Sequence, residues 1–392
     1  MKILVLGGDG YLGWPTSLFL SVKGYEIYII DDFSKRKIEL EEGVIPLESL
    51  LPLQERIKVW EKSTGRAIGI HVGSLTNHRF IYAALEEIQP DVIVHFAEQP
   101  SAPYSMKGRS QAVYTQSNNV IGTLNLLFAM RSYCPNAHLV KLGTLGEYGT
   151  PNIDIEEGYI KIQHKGREDL LPFPKQPFSF YHLSKVHDSN NIMFACRVWG
   201  LRATDLNQGV VYGIDTAETR MDPDLKTSFH YDSIFGTALN RFVAQLVCGV
   251  PLTVYGSGRQ ERGIINLIDT MQCIQLAIEN PASRGECRIF NQFTESHSIL
   301  GLAKKVLSVG KNMGINGTVE HIRNPRVEQE DHYYNPVHTK LVELGLEPHF
   351  LSEKIIEGMI NRVTNSREAI NTETIRPKIA WTMEKNRLTI AR

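Results

Sequence analysis

The chain has 392 residues, 42% of them hydrophobic and 22% charged, with a formal net charge of −1. That length predicts one large domain with a smaller one attached, and the composition excludes a disordered or fibrous chain. Near-zero net charge excludes a global attraction to nucleic acid or to an acidic membrane surface, so an anionic ligand must be held by local groups.

The cysteines Cys134, Cys196, Cys248, Cys273 and Cys287 are odd in number and lack ligand spacing. They predict reduced, mostly buried thiols and no metal site. The chain runs straight into MKILVLGGDGYLG, without a charged leader, and contains no apolar run of about eighteen residues. The expectation is a cytoplasmic protein with no membrane and no nucleic-acid partner.

In chain order, Lys2–Leu6 reads as a buried strand, Trp14–Lys23 as a helix and Glu26–Ile30 as a second strand. Residues 33–68, rich in Glu, Lys and Pro, read as an insertion. Ala67–Val72 and Asp91–Phe96 read as strands on either side of a helix at His78–Ile88. A helix at Asn118–Tyr133, a strand at His138–Gly143, a helix at Phe180–Trp199 and a strand at Arg202–Leu206 follow. Strands alternating with helices imply right-handed crossovers and a parallel sheet. The fold class is therefore α/β: a Rossmann-type doubly wound parallel sheet with a smaller C-terminal α/β substrate-binding domain. The expected division is a dinucleotide-binding domain at 1–210, a substrate-binding region at 211–365 with some segments returning to the first domain, and an extension at 366–392 that reads as a surface tail or packing arm.

Gly7, Gly8, Gly10 and Gly13 follow the first strand and open the first helix. They supply a tight turn, close approach of backbone to a pyrophosphate and close helix–strand packing, with the phosphates on N–H groups at the helix start. The second strand ends in Asp31–Asp32, eighteen residues past Gly13. An acid there accepts hydrogen bonds from ribose hydroxyls and repels a 2′-phosphate, which favours NAD over NADP. Arg36 is a complication, since an arginine nearby suits a 2′-phosphate; stacking on adenine and plain surface exposure are the other readings. A flavin or nucleotide site without hydride chemistry is the alternative for the whole unit.

Tyr181 and Lys185 are four residues apart in the expected helix and share a face. A tyrosine hydroxyl titrates near 10. A lysine ammonium beside it, with the positive nicotinamide ring, would stabilise the phenolate, so that the tyrosine can take a proton from a substrate alcohol. The pair alone is also consistent with an ordinary helix face. Thr144 adds weight, because it sits at the C-terminal end of a strand, the edge where open α/β sheets bind ligands.

In order and spacing, the fingerprint, Thr144 and Tyr181/Lys185 resemble the extended short-chain dehydrogenase/reductase superfamily, the group of sugar-nucleotide epimerases and dehydratases. The blocks carrying the likeness include GGDGYLGWPT (7–16), HFAEQPSAPYSM (95–106), VYTQSNNVIGTLN (113–125), KLGTLGEYGTPNIDIEEGYI (141–160), FYHLSKVHDS (180–189), ATDLNQGVVYG (203–213), LTVYGSG (252–258) and NPRVEQEDHYYN (324–335). The likeness spans about residues 1–360, and the later blocks resemble one branch, which joins UDP-glucose and sulfite into a hexose sulfonated at C6, plus water.

The resemblance implies bound NAD that oxidises C4 transiently, 5,6-elimination, sulfite addition at C6 and re-reduction of C4. A UDP-glucose 4-epimerase or another NAD-dependent epimerase/dehydratase is the alternative. It further implies catalytic roles for Thr144, Tyr181 and Lys185, and NAD contacts from Tyr11 and Leu12, Ser74 and Leu75, Phe96, Ala97 and Glu98, and Asn118. A homodimer is the superfamily habit.

The 4,6-dehydratases carry an Asp-Glu pair directly after the threonine, whereas this chain has Leu145 and Gly146 and then Glu147. Glu147 could serve as acid or base at C5 or C6; a capping or salt-bridged carboxylate is the other reading. His182 could act on the C6 oxygen or attract sulfite; packing beside the helix is its other reading. Related members carry a basic residue where this chain has Pro100. For the substrate diphosphate, Arg262 and Arg326 are the best guanidinium candidates, with Arg241 behind them. Thr253 and Tyr255 resemble the strand bracketing uracil, and Gln208 is placed to touch sugar or phosphate.

Overall fold

The structure is a computed structural model that describes residues 1–326, 332–378 and 381. Its first strand, β1 (Lys2–Leu6), buries Ile3, Leu4, Val5 and Leu6 completely. A strand apolar on both faces belongs in the middle of a parallel sheet covered by helices. Around it stand β2 (Glu26–Asp31), β3 (Ile68–Val72), β4 (Val92–His95), β5 (His138–Thr144), β6 (Arg202–Gln208) and β7 (Cys287–Gln292). The spatial order is 7-6-5-4-1-2-3, with every pairing parallel. Strand order reverses between β1 and β4, and the crevice outside the carboxyl ends at that point is where such sheets take ligands.

Three helices matter most for the site. Helix α1 (Gly13–Val22) leaves the glycine loop, and α2 (Phe180–Trp199) crosses beside β5 and β6. Helix α3 (Ala238–Val247) lies in the C-terminal half, where nine of its ten residues are buried. Within the helical run 109–133, the turn Ser117–Ile121 is a π-turn. Such turns gather at functional sites because they re-aim side chains. Here Asn119 reaches sideways to the Gln99 N–H (2.8 Å) and the Ser184 hydroxyl (2.9 Å), and it ties the end of β4 to α2.

The structure differs from the sequence reading in places. The insertion is organised, with helices at Ser34–Glu42 and Leu53–Thr64. Its many Glu and Lys residues hid an amphipathic face: Trp60 and Leu53 are fully buried in the core beside β1 and α1. A projecting hairpin, Tyr159–His164 and Arg167–Pro172, went unread; its turn residues Lys165 and Gly166 both have positive φ, as a two-residue hairpin turn requires. After residue 210 the chain builds small sheets and a second core, then contributes β7 to the main sheet. Part of the extension is a packing arm: Ile375 is fully buried, and its carbonyl accepts from Gln245 at 3.0 Å. Residues 379, 380 and 382–392 of that expected extension lie outside the described residues, as do 327–331 of the late block.

Candidate active site

A cavity of about 970 Å³ opens at the carboxyl ends of the strands and runs from the glycine loop to α3. At its first end, Gly7 has φ +83°, and a Cβ there would lie 2.8 Å from the Ala97 nitrogen. A Cβ on Gly13 would lie 2.0 Å from the Gly7 oxygen. Only glycine lets α1 start this close to β1 and β4, and the helix N-terminus then faces the cavity.

Asp31 closes β2 and lines the cavity with Asp32. Its carboxylate accepts from the Asp9 N–H and the Phe33 N–H, both at 2.8 Å. Burial, then the nearby Asp9 charge, raise its pKa to about 6. Arg36 is held by the Asp9 carboxylate and donates to the Leu51 carbonyl at 3.0 Å. Fully buried Arg56 joins the same carboxylate and stacks 4.5 Å from the Trp14 ring. Arg36 is therefore committed to an internal ion pair. Gly10, Tyr11, Leu12, Ser74, Leu75, Phe96, Ala97, Glu98 and Asn118 line the same cavity. The cradle that added Cβ atoms would fill and the terminal carboxylate of β2 both fit a dinucleotide.

At the middle of the cavity stand Thr144, Tyr181, His182 and Lys185. Thr144 ends β5 opposite Gln208 of β6, which also lines the cavity. The Thr144 hydroxyl accepts from the Gly146 N–H at 3.2 Å, and its own N–H donates to Glu147. Ser179 caps α2 through the His182 N–H, and its hydroxyl pairs with His182 Nδ1 at 2.8 Å. The His182 ring packs so closely over Gly146 that a Cβ there would sit 2.4 Å from Nε2. The imidazole thus takes the space that a side chain at 146 would fill.

Lys185 Nζ reaches the Leu142 carbonyl at 2.6 Å and Glu98 at 2.8 Å, 5.8 Å from the Tyr181 ring. The expectation that this ammonium lowers the Tyr181 hydroxyl is not met in the protein alone. Burial, then the Glu98 charge, push that phenol above its usual range.

Glu147 is the exception among the expected site residues, because it does not line the cavity. It is fully buried behind the wall, paired with Lys175 and 3.5 Å from Lys141, and it completes a capping box with Thr144. Burial raises its carboxyl, but Lys175 and Lys141 outweigh that and hold it low. Lys141 and Asp205 face one another in register inside β5 and β6 and share Ser189 of α2. The reading from sequence missed this network. Lys141 in HLVKLGT and Asp205 in ATDLNQ were a usable signal, since charges inside buried strands are rarely tolerated unless paired. Arg56 and Lys175 left none, because their partners are distant in the chain.

At the far end, Arg241 near the start of α3, Thr253, Tyr255, Arg262 and Arg326 line the cavity. Arg241 is nearly buried, and among the described residues its Nε has no hydrogen-bond partner. Thr253 Oγ1 accepts from Gln245 at 2.8 Å. Trp381 also lines the cavity, with its ring 4.9 Å from the Arg326 guanidinium. Among the described residues no cluster of His, Cys, Asp and Glu could hold a metal, and no helix is long and apolar enough to cross a membrane.

Residues 3–291 match the NAD dependent epimerase/dehydratase family. The UDP-sulfoquinovose synthase of Sulfolobus acidocaldarius is 41% identical over 97% of this chain and 98% of its own length. The chloroplastic UDP-sulfoquinovose synthase of Spinacia oleracea is 53% identical over 97% of this chain and 79% of its own length. The chain belongs to the NAD-dependent epimerase/dehydratase family, in the group of UDP-sulfoquinovose synthases. Among solved structures, the UDP-glucuronic acid 4-epimerase of Bacillus cereus, in complex with UDP-glucuronic acid and NAD, superposes with a TM-score of 0.69 at 20% identity, covering 93% of this chain and 99% of that one. That likeness carries the fold.

Proposed function

We propose that this protein is a UDP-sulfoquinovose synthase that joins UDP-glucose and sulfite and releases water. The observation that carries the reading is nearly full-length identity of 53% and 41% to two such synthases. When bound, NAD supplies a reversible hydride acceptor for the sugar C4. Gly7–Gly13 and Asp31 hold its pyrophosphate and adenosine ribose. The remaining cavity-lining residues of the first end cover it.

In the same proposal, Thr144 orients the C4 hydroxyl and Tyr181 takes its proton, then returns it at the end of the cycle. A 4-keto group acidifies the C5 proton, so the C6 hydroxyl can leave. His182 acts on that C6 oxygen, with Ser179 on Nδ1 orienting the imidazole. Loss of the C5 proton and the C6 hydroxyl as water leaves a conjugated 4-keto-5,6-ene; sulfite adds at C6 as a proton returns to C5, and the 4-keto group is then reduced back to the alcohol by the hydride taken from it. Glu147 lies behind the wall and supports Thr144 instead of touching substrate. Arg241, Arg262 and Arg326 hold the diphosphate, Thr253 and Tyr255 bracket the base, and Gln208 meets sugar or phosphate. A cytoplasmic homodimer is part of the proposal, and light scattering of the purified protein tests the dimer.

Incubation of the NAD-loaded enzyme with UDP-glucose and sulfite is expected to give a UDP-hexose heavier by the sulfonate. UDP-galactose with no sulfonated product would instead make the protein a 4-epimerase. Tyr181→Phe is expected to lower turnover roughly 10²- to 10⁴-fold; unchanged turnover would remove Tyr181 from the mechanism.

A further inference from the structure

Glu98 stands just past the end of β4, is almost completely buried, and yet borders the cavity. The Glu98 N–H donates to the Phe96 carbonyl at 2.7 Å, a tight local turn that presents its side chain to α2. The partner it finds is Lys185, at 2.8 Å, and among the described residues no hydrogen-bond donor competes for its carboxylate. The ammonium of Lys185 is thus held between Glu98 and the Leu142 carbonyl, against the ends of β4 and β5.

We propose that Glu98 is a positioning residue for the reaction: by holding the Lys185 ammonium against the strand ends, it governs how strongly that ammonium acts on the Tyr181 hydroxyl. This rests on the reading of Tyr181 as the proton acceptor from C4. Most of the charged groups around the pair are themselves paired. From β5 and the turn after it come Lys141 and Glu147; from β6, Asp205; from the loop before α2, Lys175. Asp188, three residues past Lys185, is pushed well above the carboxylate range by burial and then by Glu98. His95 of β4 is held neutral by burial and then by Lys185. The His182 ring lies against Tyr181, 5.0 Å between centroids.

Three carboxylates (Glu98, Glu147, Asp205) pair with three ammonium groups (Lys141, Lys175, Lys185) in a dry space. In such a medium one uncompensated charge acts strongly on its neighbours. Removing Glu98 leaves the Lys185 charge unopposed beside Tyr181, and the phenolate becomes easier to form.

The test is the pH profile of kcat for the NAD-loaded enzyme with saturating UDP-glucose and sulfite. Its acidic limb reports the base that must lose its proton. Glu98→Gln is expected to move that limb to lower pH by about one unit or more. Glu98→Asp, which loosens the pair without removing the charge, is expected to move it the same way by less, and it serves if the glutamine variant does not fold. A uniform fall in kcat with the limb unmoved in both variants would overturn the proposal and leave Glu98 a structural residue. Tyr181→Phe in the same assay separates the two readings. If it turns over normally the base assignment fails, whereas an inactive Tyr181→Phe beside an unmoved Glu98→Gln limb sinks only the role of Glu98.

Discussion

The two ends of the cavity are built by opposite means. The nucleotide end is largely local: Gly7, Gly10, Gly13, Asp31 and Arg36 lie within thirty residues, and most of what they offer is backbone direction and absent side chains. The reaction end is assembled from five separate segments: Glu98, the stretch from Lys141 to Glu147, Lys175, the first half of α2, and Asp205. Buried charges that satisfy one another hold it together. A site made largely of backbone depends most on its glycines. A site made of paired charges fails when either partner of a pair is removed.

The largest expected difference is in stability at the reaction end. Lys175→Met strands the fully buried Glu147 with only Lys141 nearby, and it should cost about 3 kcal/mol in denaturant unfolding. The double variant Lys175→Met/Glu147→Gln should recover most of that loss. A double variant no more stable than the single one would mean that the pairing does not organise this end.

A smaller effect is expected from Gly146→Ala, whose Cβ would meet the His182 ring at 2.4 Å and displace it. An ångström of misplacement costs on the order of 10²-fold. Sulfonated product should form that much more slowly while NAD binding, measured by fluorescence, stays as it was. If both fall together, the two ends are not separable.

The smallest effect concerns the nucleotide end. Asp31 has its pKa raised to about 6, so its charge fades as pH drops through that value. NAD affinity should weaken over the same interval, and Asp31→Asn should flatten the dependence. Stability of the cofactor-free protein should run the other way, because the folded state binds that proton more tightly than the unfolded chain does. The contribution of Asp31 is present at low pH and lost as pH rises through about 6. Matching trends in affinity and stability would break the assignment.

The same contrast explains what could be read from the chain alone. The α/β sheet was legible because β1 and its neighbours alternate with helices at short range. The glycine loop was legible because its chemistry is positional. That Thr144, Tyr181, His182 and Lys185 lie together at the cavity was legible because one helix face and one strand end carry them. Between the two readings of Glu147 the sequence could not choose, since register along the chain does not say on which side of a wall a carboxylate falls; the structure shows the capping, salt-bridged one. Trp381 could not be anticipated at the cavity, because a polar tail gives no sign of where it returns.

The insertion has one more consequence. Residues 44–50 form a roof over the nucleotide end. That roof is fastened from outside: Leu47 N–H donates to the Phe229 carbonyl at 2.9 Å, and Glu48 is gripped by Arg362, from the helix Glu353–Asn365, and by Lys226. The Glu48–Arg362 contact joins residues 314 apart in sequence, so this stretch beside the nucleotide end is tied to the far end of the chain. In a reaction that hands the borrowed hydride back each round, nothing is gained by swapping the carrier. A cofactor seated at that end would be exchanged at a rate that depends on how firmly Leu47 and Glu48 are held.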